Sequence, residues 1–200
     1  MQQIQTQIAD QATSSSLPVI NIPIVAATPE LVAEFGLFIG NDVPNSGLTI
    51  PFYKGSVEEG HNIPFDCHGR AVIRTARIHK RSGEITWLER HTRMTQLFVG
   101  LGSAPFAMVL APPSPEGVQL PDLDRVRCFV FPAGHGILLH KGTWHDFPLS
   151  TGESVTCLTA NSEEVVDALA SMKEPTEMNH GDVFKLHIAQ RTGKRLHVAL

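Results

Sequence analysis

The sequence predicts one mainly β domain, a sandwich or barrel of short strands, and three observations support this fold class. The chain has 200 residues, which is the size of an ordinary single domain. Hydrophobic residues make up 42% of it and charged residues 18%, a composition typical of globular rather than disordered proteins. Short apolar runs recur between turns that contain Gly and Pro, and this spacing favours an all-β fold over alternating strands and helices.

The expected strands follow one another through most of the chain. Residues 1–17 form a polar tail that we expect to be mobile, residues 18–172 the single domain, and residues 173–200 a C-terminal extension. The stretch 37–70 is rich in Gly, Pro and Asn and predicts loop or edge structure. The predicted strands are 18–24, 71–78, 84–91, 96–101, 106–111, 126–132, 136–140, 154–160 and 182–188.

Two short helices are expected beside the strands. In the segment 28–36, Thr28 can cap the first turn and a proline follows at the first helical position. We expect Leu31 and Phe35 on the inner side of this helix. Residues 162–172 carry a capping serine and apolar residues at helical spacing, which predicts the second helix.

Charge and cysteine content exclude several classes of protein. The 16 basic and 20 acidic residues give a net charge of −4, which argues against nucleic acid or a membrane surface as the partner. The three cysteines have no CxxC spacing, and their odd number favours a reducing compartment. No apolar run reaches the ~20 residues of a membrane span, and the polar N-terminus lacks the features of a signal peptide. We therefore expect a soluble cytoplasmic protein.

Side-chain alternation in the predicted strand 84–91 indicates where chemistry could lie. Alternate residues of a strand share one face. Ile85 and Trp87 are expected to face the core. Glu89 and His91 would then point into the same interior, where a carboxylate and an imidazole must be paired, hydrogen-bonded or bound to an ion.

Two sequence patterns add further polar residues to Glu89 and His91. The pattern Glu-x-His-x4-Gln contains Glu89, His91 and Gln96, and a later segment offers His140 and His145 on either side of a glycine turn. This arrangement resembles the two motifs of cupin barrels. In that frame Glu89 stands where the first histidine is usual, Gln96 stands where glutamate is usual, and His145 stands at the ligand position of the second motif.

A longer match is more specific. The segment ERH-x4-Q-x-F at 89–98 and the segment DLDRVRCFVFPAGHGILLHKGTWHDFPL at 122–149 resemble the ureidoglycolate lyase family, and TPELVAEFGLFIG at 28–40 resembles its N-terminal helix. The likeness covers about residues 20–165. It implies a cupin-like double-stranded β-helix (jelly-roll) barrel with short flanking helices, in a homodimer.

The resemblance also implies an activity, the cleavage of ureidoglycolate to glyoxylate and urea by an amidine-type carbon–nitrogen lyase of purine and allantoin degradation. This elimination needs a cation for the substrate carboxylate, a base near the hydroxyl and an acid for the departing nitrogen. The candidate catalytic residues are Glu89, His140, Lys141 and His145, and the candidate substrate-binding residues are Arg77, which matches a family arginine, Arg90 and Trp144. The candidate ligands of a divalent ion (nickel, zinc or manganese), or of the vestige of such a site, are Glu89, His91, Gln96 and His145. No organic cofactor is expected.

Each assignment has a structural alternative. Glu89 and His91 could form only a buried hydrogen-bonded pair, Trp144 could be a core residue, and the arginines could form surface ion pairs. The basic stretch 191–197 is most simply a solvated end. Two other functions stay open: a cupin enzyme for a different small carboxylate substrate, and a small-molecule-binding cupin without catalysis.

Overall fold

Two β-sheets face each other and enclose an apolar interior to which both contribute side chains. The computed structural model describes residues 16–43, 46–53 and 55–200, so the predicted tail 1–17 lies almost wholly outside the described residues. The larger sheet has eight strands and the smaller has five. This architecture confirms the prediction of a mainly β, cupin-like fold with short flanking helices.

The described elements follow in this order along the chain. The strands are β1 (Val19–Asn21), β2 (Ile24–Ala26), β3 (Gly36–Ile39), β4 (Ser46–Leu48), β5 (Glu59–Gly60), β6 (Ala71–His79), β7 (Glu84–Ile85), β8 (Trp87–Arg90), β9 (Gln96–Leu101), β10 (Phe106–Ala111), β11 (Arg127–Phe131), β12 (Gly136–Leu139), β13 (Trp144–His145), β14 (Leu149–Ser150), β15 (Ser154–Ser162), β16 (Met178–His180), β17 (Val183–His187) and β18 (Arg195–His197). The helices are α1 (Pro29–Val32), α2 (Glu163–Ala170) and α3 (Ile188–Thr192), and single 3₁₀ turns cover Pro51–Tyr53 and Leu123–Arg125.

Hydrogen bonds join most of these strands into the two facing sheets. The larger sheet has the order β16-β17-β8-β13-β10-β11-β2, with β14 also paired to β10. The smaller sheet has the order β3-β12-β9-β15-β6. Strands β4 and β5 form a separate hairpin within the stretch 37–70, for which the sequence predicted only loop or edge structure. Such short strands are specified by their pairing partners rather than by local composition.

Strand β10 shows how both faces of the larger sheet become buried. Its inward side chains, Phe106, Met108 and Leu110, belong to the interior cluster between the sheets. Its outward side chains, Ala107 and Val109 among them, belong to a second apolar cluster on the opposite face, which we call the outer cluster. Burial on both faces explains why this strand is apolar at every position rather than at alternate ones.

Segments from the two ends of the chain cover the outer face of the larger sheet. Strands β1, β18 and β7 form a small sheet there, and Leu196 of β18 packs in the outer cluster with Leu186 of β17. Leu196 is completely buried. The prediction that 191–197 is a solvated end is therefore wrong, because the single apolar side chain of that stretch fills the outer cluster while its basic neighbours stay at the surface.

Both predicted helices are present, but the first is shorter than expected. Thr28 caps α1, its side-chain oxygen accepting a hydrogen bond from the backbone N–H of Leu31 at 3.3 Å. Leu31 is 51% exposed, so the prediction that it faces inward is wrong; Val32 and Phe35, about one turn apart, are the buried pair. Ser162 caps α2 as predicted. In the described part of the chain, no helix is long and apolar enough to cross a membrane.

The packing of β18 can be tested by the substitution Leu196→Ala. Removing a fully buried leucine from the outer cluster should lower the free energy of unfolding by about 2–5 kcal/mol. Urea unfolding followed by circular dichroism measures this change. The control Leu31→Ala, at an exposed position, should change stability by less than about 0.5 kcal/mol; similar small losses for both variants would contradict a stabilising role for the C-terminal strand.

Candidate functional site

Three polar side chains converge inside the sandwich. Glu89, His91 and His145 each offer one ligand atom, and these atoms all lie within 4.8 Å of one another. The three residues are only 4%, 3% and 1% exposed. Glu89 and His145 are direct partners in the pairing of β8 with β13, which brings two segments more than fifty residues apart in sequence to one point. The structure therefore brings together three of the four side chains that the sequence analysis names as candidate metal ligands.

Strand alternation directs Glu89 and His91 inward as predicted, but it does not extend back to Ile85 at the start of the predicted strand. Glu89 and the adjoining His91 are buried as predicted. Ile85, however, packs in the outer cluster together with Leu88, because the strand is interrupted at Thr86 and Ile85 belongs to a different sheet. The expectation that Ile85 shares an interior face with Glu89 is therefore wrong.

A tight turn between β16 and β17 fixes the ring of His91. His91 Nδ1 lies 2.7 Å from the carbonyl oxygen of Asp182, a bond in which the imidazole donates. The Asp182 carboxylate in turn accepts hydrogen bonds from the backbone N–H groups of Thr92 and Arg93 at 2.9 and 3.1 Å. Gly181 and Asp182 both have positive φ, 60° and 55°, as a two-residue hairpin turn requires. This arrangement leaves His91 Nε2, 4.0 Å from Glu89 Oε1, as the free ring nitrogen.

His145 is the most deeply buried member of the group. Its ring centroid lies 5.3 Å from that of His91 and 6.1 Å from that of Phe98. Within the described chain, neither ring nitrogen makes a hydrogen bond of ordinary geometry. Burial lowers the pKa of His145 to about 3. The imidazole is therefore neutral at physiological pH and carries a lone pair that can bind a proton or a metal ion.

Glu89 is the charged member of the group, and its charge is balanced by a lysine. Burial by itself would raise the pKa of Glu89, but the pKa is lowered overall, chiefly by the ammonium of Lys185, which also donates a hydrogen bond to the carboxylate. Lys185 Nζ lies 2.8 Å from Glu89 Oε2. Glu89 is thus held as an ionised carboxylate in the interior.

Gln96 lies in the facing sheet, in β9, which pairs with β12 and β15. Its side chain is 5% exposed and donates from Nε2 to Asn161 Oδ1 at 2.6 Å. Its Oε1 atom is buried and has no hydrogen-bond partner among the described residues. Phe98, two positions along the same face of β9, touches the ring of His145.

The unpaired atoms of this group suit a divalent cation. His91 Nε2, both nitrogens of His145 and Gln96 Oε1 are buried and make no hydrogen bond in the part of the chain that the structure describes. Unpaired buried polar atoms are costly and call for a binding partner. Imidazole nitrogen, carboxylate oxygen and amide oxygen are ligands of zinc, nickel and manganese. The residues therefore fit such an ion.

Two of the predicted substrate-binding residues lie on the other face of the larger sheet. The guanidinium of Arg90 is stacked 4.6 Å from the ring centroid of Trp144. Trp144 is fully buried in the outer cluster and donates from Nε1 to Ser114 Oγ at 2.7 Å. Arg90 lines a cavity of about 290 Å³ on that side, together with Arg93. The structure thus groups Arg90 with Trp144 but not with Glu89.

The remaining candidates are exposed. Arg77 lies in β6 opposite Thr156 and faces solvent. His140 Nε2 lies 3.2 Å from the carbonyl oxygen of Ala33. Lys141 Nζ forms an ion pair with Asp66 at 2.8 Å.

The turn that carries His140 and Lys141 is nevertheless close to the buried group. The backbone N–H of Gly142 donates to the carbonyl oxygen of His91 at 2.6 Å. The two side chains are therefore attached beside His91, although they point to the surface.

Sequence reasoning missed Lys185 and Asp182. The strand 182–188 was predicted and is observed as β17, but no motif linked it to Glu89. The available signal was the alternation within that strand, since Val183, Lys185 and His187 share one face and a lone lysine on such a face needs a buried partner. The pairing of β17 with β8, which puts Lys185 directly opposite Glu89, is a tertiary fact.

Comparison with known proteins relates most of this chain, including the segments that carry the buried group, to one family. The profile of the family described as ureidoglycolate lyase matches residues 20–178. A ureidoglycolate lyase from Pseudomonas fluorescens is 33% identical over 131 residues, which are 62% of this chain and 74% of that protein. Proteins of the same name from Burkholderia mallei and Pseudomonas syringae are each 32% identical, over 112 and 126 residues, 52% and 59% of this chain. The chain spans between 62% and 74% of the length of these relatives.

The buried state of His145 predicts a dependence of stability on pH. Its pKa is about 3 in the folded protein, against about 6.5 when unfolded, so the unfolded state takes up a proton first as the pH falls. The free energy of unfolding should therefore decrease below about pH 6.5, by up to about 1.4 kcal/mol per pH unit until the folded pKa is reached.

Urea unfolding at several pH values between 6.5 and 5 measures this slope. His145→Asn should remove it, whereas the exposed control His61→Asn should keep it. An equal slope in the wild type and in His145→Asn would contradict a neutral, buried His145.

Proposed function

We propose that this chain, which belongs to the ureidoglycolate lyase family, cleaves ureidoglycolate to glyoxylate and urea. The observation that carries the proposal is the match of that family to residues 20–178, a range that contains the buried group Glu89, His91 and His145. The reaction cleaves a carbon–nitrogen bond, and we assign it to the amidine-type carbon–nitrogen lyases.

The chemistry of the substrate sets what the site must supply. Its carboxylate, hydroxyl and ureido group are attached to one carbon. A base takes the hydroxyl proton, the C–O bond becomes C=O, and the electron pair of the C–N bond goes to nitrogen. That nitrogen accepts a proton and leaves as urea.

Glu89 is our candidate for the base. It is an ionised carboxylate in a site of low exposure, and its low pKa is maintained by Lys185. His145, which is neutral, can accept or donate a hydrogen bond beside it. His140 and Lys141 are our candidates for delivering a proton to the leaving nitrogen, because their turn adjoins His91.

The substrate carboxylate requires a cation. Arg77 and Arg90 are candidates from the sequence, and the third candidate, Trp144, lies under the guanidinium of Arg90 in the outer cluster. Because these three side chains lie away from Glu89, their substitution should affect the Michaelis constant or nothing at all, rather than the chemical step. A third cation, Lys185, is in contact with Glu89 itself and also lines a cavity of about 260 Å³ that opens toward solvent.

A divalent ion fits the same site. Glu89, His91 and His145, with Gln96 as a fourth candidate, are the residues that would hold it. Such an ion would polarise the hydroxyl or carboxylate of the substrate when bound. We further propose that the enzyme is a homodimer of the cytoplasm; size-exclusion chromatography with light scattering tests the subunit number.

Removing the buried acid or imidazole tests the proposed activity. Glu89→Gln and His145→Asn should each lower kcat by about a hundredfold or more, because each removes a group from the proposed proton-transfer site. Release of glyoxylate from ureidoglycolate, coupled to a reductase, gives the rate.

The matched control is Glu84→Gln, which removes a carboxylate that pairs with Arg195 at the surface. This variant should keep the wild-type rate. Absence of glyoxylate release by the wild-type protein, with or without added divalent ions, would contradict the proposal; a panel of other small hydroxy acids would then identify a different substrate.

Metal removal tests the proposed ion separately. If Glu89, His91 and His145 hold a divalent ion, protein purified without chelator should contain about one ion per chain by elemental analysis, and His91→Ala should lower that content sharply. Metal-free wild-type protein that retains full activity after chelator treatment would contradict a catalytic ion while leaving the lyase proposal intact.

A further inference from the structure

We propose that the ammonium of Lys185 is a built-in cation of the Glu89 site, which balances the buried carboxylate in the absence of metal and weakens the binding of divalent cations there. The inference rests on the proposed capacity of Glu89, His91 and His145 to hold an ion, and not on the lyase activity. Its test is therefore a binding measurement.

The position of Lys185 is fixed by strand pairing. Lys185 in β17 is the direct partner of Glu89 in β8, so both side chains project from the same face of the larger sheet. The ammonium lies 2.8 Å from Glu89 Oε2, and the two side chains are 24% and 5% exposed. Their contact is thus a short, largely buried ion pair rather than a surface one.

Charge balance opposes a metal ion at this position. Glu89 is the one carboxylate among the three side chains that could bind an ion, and the other two side chains are imidazoles. With Lys185 in place, the pair Glu89–Lys185 has no net charge. A divalent cation that bound here would lie a few ångströms from an ammonium in a region of low dielectric, where like charges repel strongly.

Lys185 also competes for the ligand atoms. Its contact engages Oε2 of Glu89 and leaves Oε1, which faces His91 Nε2 at 4.0 Å. A metal ion would share the carboxylate with the ammonium. The unpaired nitrogens of His91 and His145 supply the attraction for a cation, and Lys185 limits it.

The segment that supplies this lysine lies outside the family match. The match ends at residue 178, whereas Lys185 and the neighbouring Asp182, whose carbonyl oxygen fixes His91, follow it. Two independent contacts to the buried group thus come from residues beyond the matched range. The electrostatics of the site in this chain are set in part by a strand that lies beyond the matched residues.

The experiment compares three variants of the metal-stripped, full-length protein. Lys185→Gln keeps a hydrogen-bond donor for Glu89 but removes the charge, and Lys185→Arg keeps the charge. Lys173→Gln is the matched control, because Lys173 is an exposed lysine that lines the same 260 Å³ cavity. Isothermal titration with zinc, nickel and manganese chlorides gives the affinity of each.

Lys185→Gln should bind at least one of these ions more than tenfold tighter than the wild type. Lys185→Arg and Lys173→Gln should stay within about threefold of the wild type. The double variant Lys185→Gln, Glu89→Gln should lose the gain, which assigns it to this site.

A second measurement covers the case in which Lys185→Gln folds too poorly to titrate. Lys185→Met should have a lower Tm than the wild type in chelator, because it leaves Glu89 buried and uncompensated, and zinc should raise its Tm by more than it raises that of the wild type.

Unchanged or weaker metal binding in Lys185→Gln, with no extra zinc stabilisation of Lys185→Met, would overturn the inference. Weaker binding would mean that Lys185 orients Glu89 for the ion instead of opposing it. Failure of the lyase proposal has a different signature, the absence of glyoxylate release by the wild type.

Discussion

The buried charge of Glu89 is the constraint on which the rest of the site depends. A carboxylate that is 4% exposed is unfavourable unless positive or hydrogen-bonding groups surround it. Lys185 supplies the positive charge on one side, and His91 and His145 line the other. Satisfying Glu89 therefore requires three separate strands of the larger sheet to pair in one register, so the fold and the site are specified together.

The two faces of the larger sheet have different roles. Its inner face carries Glu89, His145 and Lys185, and the apolar interior keeps water away from Glu89 and His145. Its outer face carries Arg90 over Trp144, beneath the strands from the chain termini. Because neighbouring residues on a strand point to opposite faces, a polar group and a packing residue can stand side by side in sequence without interfering.

Hydrogen bonds from a neighbouring hairpin turn hold His91 in place, although the sequence around His91 does not indicate this support. The hairpin turn at Gly181 and Asp182 holds the backbone of Thr92 and Arg93 and fixes the ring of His91. Thr92 and Arg93 donate to the Asp182 carboxylate through their backbone N–H groups, and every residue type except proline carries such a donor. The residue types of the first motif therefore give little indication of this support.

The sequence by itself determined the fold class and half of the site. Turn spacing indicated the strands, alternation turned Glu89 and His91 inward, and Ser162 marked the start of a helix, because these are properties of consecutive residues. The same local rules gave the wrong environment for Ile85 and Leu31. A break in the strand after Ile85 interrupted the side-chain alternation, and the early end of the first helix interrupted the helical periodicity after Leu31. Only the tertiary structure decided that Lys185 meets Glu89 and that Gln96 approaches from the opposite sheet. Such pairings join residues far apart in the chain, and their energy comes from burial and charge balance that no local pattern records.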